Sequence, residues 1–141
     1  MSSFQFIHTA DIHLDSPLTG LAWYKGSAVE RIWSANRETL DNLISQPIED
    51  EVRFVVIAGD LCDGTCRDFQ TGLFFSPQMG RLGEVGIDSF LLYGNHDAES
   101  QVTKRLSLPD NVNVFSSRKP GTFLLDDSGV ASTARASVNA T

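Results

Sequence analysis

Three short stretches of the sequence place metal-ligating side chains directly after apolar runs. They are Asp11 and His13 in "TADIH", Gly59 and Asp60 in "IAGDLCD" (with Asp63 at its end), and Gly94, Asn95, His96 and Asp97 in "YGNHD". Carboxylate, imidazole and amide oxygen are ligands for a divalent cation, and burying such groups without one costs several kcal/mol. The set holds no thiolate, so it suits manganese, iron or magnesium better than structural zinc. Asp60 falls between the other two stretches and is suited to bridge two ions. Two cations about 3.5–4 Å apart clamp a phosphoryl oxygen and bring the pKa of a water toward 7, the arrangement for in-line hydrolysis. Glycine before Asp60 and before Asn95 lets the backbone turn sharply and leaves room for such a site.

Each stretch needs an element to aim it. Residues 4–9, 52–59 and 87–94 are short runs rich in β-branched and aromatic side chains, bounded by polar turns, and they read as buried strands. Between the first two, Ser27 and Glu30 have capping-box spacing. Val29, Ile32, Trp33, Asn36, Leu40, Leu43 and Ile44 then recur at helical spacing until Pro47, which is expected to end the helix. A second helix is expected between Asp68 and Gly83, with Phe69, Leu73 and Met79 on its apolar face, although Gly72, Pro77 and Gly80 weaken it. Trp33, Phe69, Phe74 and Phe75 read as core. Strand, helix, strand, helix, strand predicts an α/β fold with parallel pairing and right-handed crossovers. All three strand ends then share one rim, where open α/β sheets bind ligands.

Beyond residue 98 the pattern predicts a short helix at 101–106, a strand at "VNVF" and a hairpin in "TFLLDDSGVAS" turning at residues 126–129. The small, polar tail "TARASVNAT" is expected to be disordered.

Composition narrows the class of protein. A chain of 141 residues, 41% hydrophobic, supports one modest core. No window is apolar enough for a membrane span, and the start carries no secretory pattern, so a cytoplasmic protein is expected. The formal charge of −7 comes from residues 1–98, which hold 14 acidic and 6 basic groups, against 4 and 5 in the remainder. That surface repels a phosphate backbone unless cations or a partner reverse the local field. Cys62 and Cys66 lack the further ligands of a zinc site and read as reduced loop thiols. Arg118 to Pro120 reads as a solvated loop.

The ordered trio D-x-H, G-D and G-N-H-D resembles the calcineurin-like metallophosphoesterase superfamily. Within it, "FIHTADIHLDSPLTGL", "VVIAGDLCDG" and "LLYGNHD" resemble the DNA repair exonucleases of the SbcD type. The resemblance runs from about Phe4 to Leu125. It implies an α/β/β/α sandwich core, mostly parallel, of which residues 1–125 are the N-terminal part and 126–141 the hairpin end and tail. By the same resemblance Asp11 and His13 hold the first metal, Asp60 bridges, and Asn95 holds the second. His96 acts as general acid or phosphate-stabilising group, with Asp97 holding its ring. The implied activity is exonuclease or endonuclease cleavage of DNA with manganese, beside an SbcC-like coiled-coil ATPase; apart from the resemblance, two divalent ions are expected, with iron or magnesium as alternatives to manganese, and a homodimer is a further expectation.

His8, inside the first strand, reads as a core or supporting imidazole, and Asp15 and Ser16 before Pro17 read as turn-forming. The sequence departs from the family at its other end. Members supply a later G-H and G-H-x-H, whereas no histidine follows His96 here, and Ser132 and Thr133 stand where related sequences carry His-Gly. The chain is therefore expected to be the N-terminal part of a longer nuclease. The alternatives are a catalytically incomplete binding or regulatory module, or a phosphatase acting on a nucleotide or phosphoprotein.

Overall fold

A computed structural model describes residues 3–16, 28–61, 69–93, 107–115, 120–125 and 130–134. Its elements are β1 (Phe6–Ala10), α1 (Val29–Glu49), β2 (Phe54–Gly59), α2 (Phe69–Glu84), β3 (Asp88–Tyr93), β4 (Val112–Phe115), β5 (Gly121–Leu125) and β6 (Val130–Ala134). Strands β1 to β4 form a parallel sheet in sequence order, and β5 and β6 form an antiparallel hairpin. The expected strands are thus present with trimmed ends, "VNVF" is a strand, and the hairpin pairs Leu125 with Val130. Ser27, Cys62, Asp63, Cys66, the expected helix at 101–106, Arg118, the hairpin turn at 126–129 and the tail lie outside the described residues; the N-cap of α1 is Ala28, with no side-chain cap hydrogen bond, in place of the expected Ser27 box.

The sheet has an apolar layer on each face. On one face Val55, Ile57 and Leu91 pack against Leu40 and Ile44 of α1 and Phe75, Met79 and Leu82 of α2. Each such side chain contributes about 1.5–3 kcal/mol when fully buried. On the other face Phe54, Phe90 and Phe115 meet Phe123 and Leu125 of the hairpin, with Phe115 and Phe123 edge to face at 4.9 Å. The hairpin covers the β3 and β4 side and leaves β1 open, so Phe6, stacked on Phe54 at 4.9 Å, is still 51% exposed. His8 shares that face by strand alternation and is exposed, so it is not a core imidazole.

Three helix expectations are corrected. Pro47 does not end α1, which runs two residues past it to Glu49. The stop comes at Glu51, whose φ of 51° puts it in the left-handed region. Glu51 N–H then bonds to Ile48 O and Val52 N–H to Pro47 O, the Schellman pattern. Helix α2 ends in the same way, with Gly86 at φ 76° and bonds from Gly86 to Gly83 and from Ile87 to Leu82. Its glycines and Pro77 are tolerated because Thr71, Phe75, Met79 and Leu82 form the buried stripe. Leu73, expected on that stripe, is 57% exposed. Trp33 is also not core: it lies at the surface of α1, and its indole N–H has a specific partner described below.

Candidate metal centre

Parallel register fixes the rim. Ala10 pairs with Ala58 and Gly59 with Tyr93, so the chain leaves β1, β2 and β3 along one edge of the sheet. Asp11 and His13 follow β1, and Asp60 follows β2. One ligand atom from each of these three residues lies within 4.8 Å of the other two. This is the only such cluster among the described residues. Asp11 is exposed, whereas His13 and Asp60 are half-buried. Asn95, His96 and Asp97 lie outside the described residues.

Two observations show that the residues present fit a cation. Oδ1 of Asp60 is buried and has no hydrogen-bond partner among the described residues. A carboxylate oxygen left so is costly, and a cation on the rim satisfies it. Gly59 is the second. Its φ is 81°, and a Cβ built there would lie 2.4 Å from Asp11 Oδ1, so only glycine lets the two carboxylates approach.

The loop that presents Asp11 and His13 has unusual backbone geometry. Asp11, His13 and Asp15 alternate in the left-handed region, with φ of 51°, 49° and 52°. Aspartate and histidine tolerate that region better than most side chains, yet each such residue stores strain of about 1 kcal/mol or more. Bonds to the exit of β2 offset part of it: Asp11 N–H to Ala58 O, His13 N–H to Asp60 O and Leu14 N–H to Leu61 O. Leu14 and Leu61 anchor both strand exits in the core.

Helix α1 supplies the rest through one face. Trp33 Nε1 donates to Ser16 O at 2.8 Å, and Asn36 Nδ2 to Ile12 O at 3.4 Å. The Arg37 guanidinium grips the Asp15 carboxylate with Nε to Oδ1 at 2.9 Å and an NH2 group to Oδ2 at 2.6 Å. Thr71 of α2 donates to the same Oδ2 at 2.8 Å. Burial pushes the Asp15 carboxyl up, but the hydrogen bonds from Arg37 and Thr71, together with the Arg37 charge, outweigh it and hold the group below the ordinary carboxylate value. Sequence reasoning left Arg37 and Thr71 unassigned and gave Trp33 and Asn36 to the apolar face of α1. Only the i, i+3, i+4 spacing of Trp33, Asn36 and Arg37 hinted at a shared face.

A separate cleft of about 680 Å³ lies at the opposite end of the sheet, between Phe4, Arg53, Glu51 and Val85. It contains none of the three clustered ligands and lies away from the rim where the strand ends deliver them.

Three side chains able to ligate a metal gather on one rim after parallel strands, and the calcineurin-like phosphoesterase family model matches residues 4–132. The chain belongs to that family. It is 34% identical over 120 residues to the uncharacterized metallophosphoesterase YhaO of Bacillus subtilis (strain 168), a match that covers 85% of this chain and 29% of that protein. The chain thus spans under a third of the length of this relative. Among the described residues no helix is long and apolar enough to cross a membrane.

Proposed function

We propose that this chain forms the N-terminal half of a two-metal site in a phosphodiesterase that acts on DNA, in repair. The observation that carries this is the buried Asp60 Oδ1, without a hydrogen-bond partner among the described residues, on a rim shared with Asp11 and His13. In this reading Asp11 and His13 would hold one ion, Asn95 the other and Asp60 both, and His96, steadied by Asp97, would protonate or stabilise the phosphoryl group. Divalent cations, manganese foremost, supply charge neutralisation of the phosphoryl group and acidify the attacking water. The protein's part is to hold both carboxylates close together on a fixed rim. The net charge of −7 keeps this segment from gripping DNA alone, so further segments, a second copy or a coiled-coil ATPase partner make those contacts.

The test has a binding arm and a catalytic arm. Manganese is expected to raise the melting temperature of the chain, with Asp60→Ala abolishing the gain. The longer reading frame is expected to cleave single- or double-stranded DNA and a phosphodiester analogue in manganese, again lost in Asp60→Ala. An equal melting shift in wild type and Asp60→Ala would remove the metal site. Cleavage of a phosphomonoester, nucleotide or phosphopeptide in place of DNA would move the substrate to a phosphatase class while leaving the site intact.

A further inference from the structure

Asp15 lies two residues beyond His13, in the sequence stretch read as a turn, and it joins three parts of the molecule. Both of its oxygens are taken: Oδ1 by Arg37 Nε, and Oδ2 by an Arg37 NH2 group and by Thr71. Its side chain is only 11% exposed. Arg37 is itself held over the Phe74 ring, 5.0 Å from its centroid, which fixes the plane of the fork. A carboxylate with its acceptors so occupied is not a ligand in waiting, and it is not part of the Asp11, His13 and Asp60 cluster.

The loop needs such a fixture. Three alternating left-handed residues would relax to ordinary conformations if nothing opposed them. Leu14 bonds to the exit of β2, and the described contacts at Asp15 and Ser16 include the side chains of Trp33, Arg37 and Thr71. We propose that Asp15, Arg37 and Thr71 form a positioning clamp that sets the metal affinity of this rim, holding the loop at residues 11–16 in the conformation that presents Asp11 and His13 to a cation beside Asp60. The clamp also ties the start of α2 to the loop.

This inference rests on the metal reading, and the experiment separates the two. Manganese chloride is titrated calorimetrically into the wild-type chain, Asp15→Asn, Arg37→Lys, the double variant, Asp60→Ala, and Arg81→Gln. The last breaks the Arg81–Asp41 ion pair between the same helices without touching the loop. Melting temperatures without metal are recorded for each. Asp15→Asn and Arg37→Lys are expected to weaken manganese by about 10–100-fold, the usual effect of losing a group that orients a ligand. The double variant is expected to be no weaker than the worse single, and Arg81→Gln to keep wild-type affinity whatever stability it loses. If Asp15→Asn does not fold, Arg37→Lys, which keeps the charge but loses the fork, carries the test. Affinities within twofold of wild type in both variants, or an equal loss in Arg81→Gln, would overturn the clamp. If Asp60→Ala abolishes binding while the clamp variants retain it, only the clamp falls; a wild type that binds no manganese overturns the metal reading and the clamp together.

Discussion

At Gly59 two requirements coincide: a backbone in the left-handed region and a neighbour's carboxylate where a side chain would start. Gly59→Ala therefore carries a conformational cost of about 1–2 kcal/mol and displaces Asp11. It is expected to lower the melting temperature by roughly 5 °C or more and to lose most of the stabilisation given by manganese. Melts with and without manganese chloride check both, and a wild-type manganese gain in this variant would show that Asp11 does not need its present place. The convergence of Asp11, His13 and Asp60 was legible from sequence because each follows an apolar run whose end defines the rim. Asp15 was not, since its partners lie 22 and 56 residues away and a local reading sees only an aspartate and a serine before proline.

At the level of elements, the two helices stop by one device built from different residues. Glu51 bears a left-handed conformation that glycine adopts freely, whereas Gly86 already meets it. Glu51→Gly is expected to raise stability by about 0.5–1 kcal/mol, the relief of the left-handed strain less the added chain entropy. Gly86→Ala is expected to cost about 1 kcal/mol for backbone reasons alone, since a Cβ there meets nothing within 4 Å. Urea unfolding of the two variants beside wild type tests the pair, and a destabilised Glu51→Gly would point to a role for that side chain. These stops explain why proline misled. Pro47 is a conspicuous breaker in the sequence, but a glutamate in a left-handed turn carries no local signature. The apolar face of α2 was misplaced for a related reason: spacing alone fits either Leu73 or Phe75, and only the docked sheet chooses Phe75.

For the whole molecule, the parallel pairing of β1 to β3 followed from the alternation of strands and helices, while the place of β4 beside β3 and the division of the aromatics between the two faces did not. Phe54, Phe90, Phe115 and Phe123 gather on the side away from the helices, and no pattern within one strand shows which neighbours will cover it. Ligand supply sets the catalytic expectation at this scale. With no histidine after His96 in the sequence, the second ion of the proposed site would have few partners in these 141 residues. The 141-residue chain alone is expected to show no manganese-dependent DNA cleavage above an Asp60→Ala control. Clear cleavage abolished by Asp60→Ala would mean that the site completes itself, for instance across a homodimer. The sheet order has one more consequence. Among the described residues β1 is an edge strand, paired only with β2, yet it leads into two of the three ligands. Edge amides open to solvent in small fluctuations that leave the sheet centre closed, so deuterium should enter β1 well before β2 and β3. A cation gripping Asp11, His13 and Asp60 staples that edge to its neighbour, and the slowing of exchange on adding manganese should be concentrated in β1 and the loop after it.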